Sequence, residues 1–158
     1  MSRETLIQAL RPVFEAAAEI DLKAPDAAER MEARLPLSGE VVQGLRNLVR
    51  QGVREGWLCE READGVRFCR LTKANADTRG FSVDVVHMQT PGPGHTHPNG
   101  EIDLCFGVEG EPTFDGRAPG WTVYPPGSWH VPSVHGGVMD IIYLLPEGAI
   151  QFGPKPQG

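Results

Sequence analysis

The chain has 158 residues, of which 40% are hydrophobic and 23% are charged, a composition typical of a soluble protein with one packed core. No run approaches the roughly 18 to 20 apolar residues that a membrane span needs, and a net charge of −6 disfavours non-specific binding to nucleic acid. The amino terminus lacks a secretory signal pattern, and three cysteines are an odd number for a disulfide framework. We therefore expect a cytoplasmic protein with neither membrane nor nucleic-acid partners.

Three helices are predicted in the amino-terminal third, over residues 3–20, 25–34 and 38–55. In the first, apolar residues recur at the i, i+3, i+4 and i+7 positions of one helical face. Ser38 can cap the third helix. Gly56 suits its end, because glycine adopts the left-handed conformation that often closes a helix.

A β-hairpin is predicted after the helices, because Asp64 and Gly65 separate two runs rich in strand-forming residues. If these two residues form the loop, Glu62 faces Arg67 across the hairpin. Helices followed by a hairpin also permit a winged-helix interpretation, with arginines four residues apart on one helical face. These are Arg46, Arg50 and Arg54. Residues 1–72 carry 11 basic against 12 acidic side chains, so we expect the arginines to form a solvated face and not a nucleic-acid surface.

Short apolar strands alternate with turns from residue 80 onward. The chain contains 19 glycines and 14 prolines, most of them after residue 75, and such a density of turn formers favours an all-β fold. The predicted organisation is a helical extension with its hairpin over residues 1–72, packed on a β-barrel over residues 73–158.

The segment GHTHPNGE, residues 94–101, concentrates potential metal ligands. His95 and His97 are two residues apart, so on a strand both imidazoles project from the same face, about 6–7 Å apart at the backbone. A Pro-Asn-Gly turn follows, and Glu101 then opens the next strand and can bring a carboxylate to the same point. The spacing therefore predicts three ligands of one metal ion.

A second segment, PPGSWH, delivers a further imidazole from His130 after a tight turn. Three imidazoles and a carboxylate form a mixed nitrogen and oxygen site. Such a site suits a divalent transition metal (Fe, Mn, Zn, Ni, Co or Cu) better than Ca or Mg.

The order H-x-H-x3-E followed by P-x-G-x2-H resembles the two motifs of the cupin superfamily. The second motif departs in detail, because the interval from Gly120 to Pro125 is one residue shorter than usual and Val134 replaces the usual asparagine. The resemblance implies a mainly β fold, a single cupin barrel of the double-stranded β-helix or jelly-roll type, with the metal inside.

Strand parity adds a carboxylate to the predicted site. Asp103 shares the face of Glu101, so both point into the barrel. A buried carboxylate near a metal is a candidate general acid or base. Equally, Asp103 can hold a ligand histidine through its ring N–H.

Other side chains of the β region are candidates for proton transfer or substrate contact. For proton transfer we add His135 and Tyr124 to Asp103. Arg79 and Arg117 are the two arginines after residue 72, and either can clamp a substrate carboxylate, although Arg117 can equally lie in an exposed turn. The remaining candidates for substrate contact are His87, Trp129 and Tyr143, each of which can instead be structural.

Five segments resemble the bacterial family of 4-hydroxylaminobenzoate lyases, and the resemblance covers the chain from about residue 40 to 153, including the end of the helical region. They are GWLCEREADGVRFCR, GFSVDVVHM, HTHPNGEIDL, FDGRAPGWTVYPPGSWHVPSVHGG and IIYLLPEGAIQF. The resemblance implies a carbon–nitrogen lyase of nitroaromatic breakdown. Such an enzyme converts 4-hydroxylaminobenzoate to 3,4-dihydroxybenzoate and releases ammonia.

Two alternatives remain open on the motifs alone. One is another small-molecule cupin enzyme, a dioxygenase or an isomerase. The other is a non-enzymatic cupin that senses a ligand. The expected partners are a small aromatic acid substrate and a second copy of the chain in a homodimer, since many cupins pair through barrel edges.

Overall fold

The computed structural model describes residues 2–157, and these fold into four helices followed by nine strands. The helices are α1 (Arg3–Ala9), α2 (Arg11–Ala18), α3 (Ala27–Arg34) and α4 (Glu40–Glu55). The strands are β1 (Arg61–Ala63), β2 (Val66–Thr72), β3 (Phe81–Met88), β4 (His95–His97), β5 (Glu101–Phe114), β6 (Gly120–Tyr124), β7 (Ser128–His130), β8 (Val134–Pro146) and β9 (Gln151–Phe152). Among the described residues, no helix is long and apolar enough to cross a membrane.

The helices differ from the sequence prediction at two points. The predicted first helix is divided at Leu10 into α1 and α2. Pro12 lies in the first turn of α2, where its missing N–H is tolerated, whereas inside a longer helix it would break the hydrogen-bond ladder. The predicted cap at Ser38 is wrong, because α4 begins after Gly39 without a side-chain cap. Gly56 ends α4 with a φ of 85°, as predicted.

The strands form two antiparallel sheets. The larger has the order β1-β2-β3-β8-β5-β6, and the smaller has the order β7-β4-β9. The predicted class, a mainly β barrel of the cupin type with an amino-terminal helical extension, is confirmed by this arrangement.

The hairpin is part of the larger sheet. Ala63 pairs with Val66, and Glu62 pairs with Arg67, so Asp64 and Gly65 form the two-residue loop that the sequence predicts. Strand β2 continues the pairing into β3. The helical extension and the barrel are therefore joined by a continuous sheet across the loop between these two strands.

Alternate residues of the larger sheet face two different environments. One face packs under the helices in an apolar cluster whose sheet members include Leu71, Val83, Val85, Ile102, Leu104, Ile142 and Leu144. The other face lines the barrel interior with Val66, Val86, Met88, Cys105, Met139, Ile141 and Tyr143. The helices thus cover the outside of the sheet and leave the inside for the site.

The arginines of α4 partly contact this outer face. Arg46 donates a 3.4 Å hydrogen bond to the carbonyl of Gly107, and Arg50 lies 3.4 Å from a carboxylate oxygen of the buried Asp140. Arg54 is exposed. The solvated face that the sequence predicts is therefore smaller, and consists of Arg54 and the exposed part of Arg46. The hairpin is part of the larger sheet and does not project as the wing of a winged helix.

Candidate metal centre

Two neighbouring strands and one turn bring the four predicted ligands together. His95 and His97 lie on β4, whose partner β7 places His130 directly opposite His95. The turn to Glu101 requires Gly100, because its φ is 91° and a Cβ there would lie 2.9 Å from the carbonyl oxygen of Tyr124. Glycine is the residue that enters such a conformation without steric cost.

The ligand atoms converge on one point in the interior. The Nε2 atoms of His95 and His130 are 3.1 Å apart, and Nε2 of His97 lies 3.1 Å from Oε2 of Glu101. One donor atom from each of the four residues lies within 4.8 Å of all the others. These separations suit four ligands around a single cation.

Each imidazole is oriented by a partner on its Nδ1 atom. Nδ1 of His95 lies 3.0 Å from the carbonyl of Pro93, and Nδ1 of His97 lies 3.0 Å from the hydroxyl of Ser128. Nδ1 of His130 lies 2.7 Å from a carboxylate oxygen of Asp115. Outer partners of this kind fix the tautomer and direct the free nitrogen towards the metal.

Asp115 is a residue of the candidate site that the sequence did not predict. Besides His130, its carboxylate accepts a 2.8 Å hydrogen bond from the backbone N–H of Ser133 and a short one from the hydroxyl of Tyr124. Burial would raise the pKa of Asp115, but the hydrogen bonds from His130 and Tyr124 outweigh it and lower the pKa. The Asp115 carboxylate therefore holds Nδ1 of His130 and leaves its Nε2 free for the ligand cluster.

The buried polar atoms of the site fit a cation. Nε2 of His97, both oxygens of Glu101 and both oxygens of Asp103 are buried, and within residues 2–157 none has a hydrogen-bond partner. A buried carboxylate without a partner is costly, and a divalent ion held by the three histidines and Glu101 would remove that cost. The donor set of three imidazoles and one carboxylate favours a transition metal.

Glu101 and Asp103, the two carboxyl groups of the interior, have pKa values shifted in opposite directions. Burial would raise the pKa of Glu101, but the neighbouring imidazoles of His95 and His97 lower the pKa to about 2. Burial, reinforced by the negative charge of Glu101, raises the pKa of Asp103 well above its usual range. Two buried carboxyl groups that repel each other in this way are driven apart in pKa, with Asp103 the weaker acid of the pair.

An apolar cavity of about 340 Å³ opens next to the cluster. His95 forms part of its wall, together with inward side chains of the larger sheet and the carboxyl-terminal strand. The apolar and aromatic lining includes Val66, Phe68, Val86, Met88, Tyr143 and Phe152. Its volume lies in the range of sites for small organic ligands.

Several of the predicted site residues lie around this interior. Asp103 is 0% exposed. Tyr124 stacks on His97, with ring centres 5.3 Å apart, although its hydroxyl is directed to Asp115. Tyr143 lines the cavity, and its hydroxyl lies 3.8 Å from the sulfur of Met88.

The structure does not bring the remaining candidates to the cluster of four candidate ligands. His87 projects from the outer face, where its ring lies 2.7 Å from Asp140. Arg117 lines a groove on the outside of the barrel beside α3. Arg79 is exposed in the turn before β3, with a φ of 55°. His135 is exposed on β8.

Trp129, predicted to contact substrate, makes contacts within the chain beside the strand that carries His95. Its indole N–H donates a 3.0 Å hydrogen bond to the carbonyl of Gly153, and its ring lies against Gly94, where a Cβ would be 3.0 Å away. This contact fastens the chain after β9 to the strand that carries His95.

Comparison with known proteins gives consistent matches. The family model described as PnbB: 4-hydroxylaminobenzoate lyase matches residues 11–152. A 4-hydroxylaminobenzoate lyase from Nocardioides sp. (strain LMS-CY) is 33% identical over 127 residues, 74% of this chain and 75% of that protein. One of the same name from Pseudomonas putida is 31% identical over 137 residues, 75% of this chain and 78% of that protein.

Among solved structures, an RmlC-like cupin protein from Ralstonia eutropha JMP134 matches with a TM-score of 0.44 and 13% identity. That match covers 61% of this chain and 64% of the other.

An antiparallel barrel with three histidines and a glutamate converging in its interior defines a cupin with a candidate metal centre. Within that class, the chain belongs to the 4-hydroxylaminobenzoate lyase family, because the family model covers most of its length and both relatives exceed 30% identity over about three quarters of it. The chain is therefore an enzyme of the lyase type, as the sequence resemblance implies.

Proposed function

We propose that this chain converts 4-hydroxylaminobenzoate and one water to 3,4-dihydroxybenzoate and ammonia, with one divalent transition metal held by His95, His97, Glu101 and His130. The observation that carries the proposal is the position of this cluster at the wall of an apolar cavity of aromatic size. The family relationship supplies the substrate class.

The stoichiometry needs no external oxidant or reductant. Breaking the N–O bond of the hydroxylamine supplies the oxidation that the ring carbon undergoes, and water supplies the remaining oxygen. A cation bound by the four ligands would supply Lewis acidity towards an oxygen of the reacting group. This balance separates the proposed reaction from a dioxygenase, which would consume O₂.

The residues of the chain have separate parts in this proposal. Phe68, Val86 and Met88 lie along the cavity wall, where they would hold the ring and exclude bulk water. Asp103 shares the inner face with Glu101, and both its oxygens lack a partner among the described residues. Our proposal gives Asp103 the exchange of a proton with a group bound beside the ligands, and its strand parity with Glu101 supports this role.

An anaerobic assay tests the proposal directly. We expect the purified protein to contain about one transition-metal ion per chain and to release equal amounts of ammonia and 3,4-dihydroxybenzoate without O₂. Chelation should abolish turnover, and restoring the metal should recover it. Turnover that survives complete metal removal, or that requires O₂, would contradict the proposal.

We also propose that the enzyme works in the cytoplasm as a homodimer within a route of aromatic degradation. Strand β1 supports the homodimer, because it forms one edge of the larger sheet and all three of its residues are exposed. An exposed edge strand presents unpaired backbone groups that a second copy can pair with. Light scattering at micromolar concentration would measure the mass.

A further inference from the structure

The cavity beside the four candidate ligands also has charged side chains in its lining, and the proposed chemistry gives these no role. On the larger sheet, Arg61 of β1 lies directly opposite Phe68, which lies opposite Val86, which lies opposite Ile141. This row crosses the inner face, so Arg61 continues it at the sheet edge. Both Arg61 and His95 line the same cavity.

Two arginines, Arg61 and Arg70, line this cavity, and they differ in whether a carboxylate neutralises the guanidinium. Arg70 binds Asp84 through two hydrogen bonds, of 2.9 and 3.2 Å, so its positive charge is compensated. Within the part of the chain that the structure describes, no carboxylate lies within ion-pair distance of Arg61. Asp64 also lines the rim without pairing with it. The Arg61 guanidinium therefore keeps its donors available to a ligand.

A para-substituted benzoate has polar groups at opposite ends of an apolar ring, and the cavity lining likewise includes His95, apolar side chains and Arg61. If its nitrogen substituent lies beside the ligands, its carboxylate points away along the long axis of the ring, past the apolar lining. We propose that Arg61 binds the substrate carboxylate and so selects aromatic acids over neutral aromatic hydroxylamines. This inference rests on the proposed function for the identity of the substrate. The planar guanidinium suits a carboxylate, because two parallel N–H groups can bind its two oxygens.

Substitution of Arg61 tests the inference by the charge of the substrate. For Arg61→Ala we expect KM for 4-hydroxylaminobenzoate to rise by about ten- to a hundred-fold, because the variant loses one hydrogen-bonded ion pair with the substrate. The same variant should act on 4-hydroxylaminobenzamide, which has no charge, within about two-fold of wild type. Arg61→Lys should lie between, because lysine supplies a charge without the fork.

Arg117→Ala is the matched control, since Arg117 lies in the outer groove. It should behave as wild type on both substrates. Equal loss on both substrates in Arg61→Ala, or no loss on either, would overturn the inference.

A binding measurement separates this inference from the proposed reaction. We would titrate the metal-loaded protein with 4-aminobenzoate and 4-aminobenzamide, neither of which carries the N–O bond that the reaction breaks. Tighter binding of the acid by wild type, lost in Arg61→Ala and kept in Arg117→Ala, supports the role of Arg61 even if no ammonia is released from the hydroxylamine. If wild type and Arg61→Ala bind the acid equally, or wild type does not bind it, the role of Arg61 is wrong even if turnover occurs.

Discussion

Along β5, residues that face the helices and residues that face the barrel interior are equally buried but chemically opposite. Ile102 and Leu104 are 0% exposed on the outer face, and Glu101 and Asp103 are 0% exposed on the inner face. On the outer face, burial of an aliphatic side chain stabilises the fold by about 1.5–3 kcal/mol. On the inner face, burial of carboxylates without hydrogen-bond partners opposes folding.

This alternation separates stability from chemistry within one strand. The helical layer supplies apolar burial that offsets the cost of the polar interior, while the interior keeps its ligand atoms free for a cation. Substitutions at alternate positions of β5, which share a face, should therefore affect the same property, either stability or turnover. Substitutions at adjacent positions should affect different properties. Three changes can break or sharpen that contrast.

The largest expected effect is on the inner face, at Asp103. Asp103→Asn keeps the shape of the side chain but removes a group that can accept a proton, so we expect kcat to fall by about 10²–10⁴-fold. The metal content should be unchanged, because Asp103 is not one of the four clustered ligands. The melting temperature should change little, since one buried polar side chain without a partner replaces another of the same shape. Wild-type turnover in this variant would contradict a proton-handling role.

The neighbouring residue on the outer face should show the reverse. Leu104→Ala leaves a cavity under the helices and should lower the free energy of unfolding by about 2–5 kcal/mol, measured by urea denaturation. At a temperature where the variant is folded, kcat per folded molecule should remain within about two-fold of wild type. A large loss of kcat without loss of stability would show that the two faces are coupled.

The sequence predicts the inner face well where the information is local. His95, His97 and Glu101 belong to one strand–turn–strand segment, so spacing and strand parity alone place them together. His130 follows from a second motif with its own Pro-Gly turn. The Asp64-Gly65 loop is equally local, and the observed register agrees with it.

The residues that sequence reasoning misses depend on distant pairing. Asp115 sits in an Asp-Gly turn after β5 with a φ of 50°, a pattern that indicates a turn and nothing about His130. Its contact with His130 arises because its backbone N–H donates to the carbonyl of Ser133, in the loop between β7 and β8. Arg61 faces the cavity because β2 pairs with β3, a register that no local spacing encodes. Arg79 and Arg117 illustrate the same limit. They are predicted as substrate-binding residues because they are the two arginines after residue 72, but the fold brings neither to the ligand cluster.

The smallest expected effect is on the metal ligand that Asp115 orients. Asp115→Asn keeps one oxygen, which can accept the hydrogen bond from the Ser133 N–H, but it loses the charge and the carboxylate oxygen that Tyr124 and His130 share, so we expect metal affinity to fall by about 10–100-fold. Competition with a chelator of known affinity would measure the change. Tyr124→Phe is the matched control, because it keeps the ring against His97 and the carboxylate beside His130 while removing one hydrogen bond. Its loss of affinity should be clearly smaller than that of Asp115→Asn. If the two variants lose equal affinity, the charged carboxylate of Asp115 contributes no more to metal binding than the hydrogen bond from Tyr124 does, which would contradict a role for that charge beside His130.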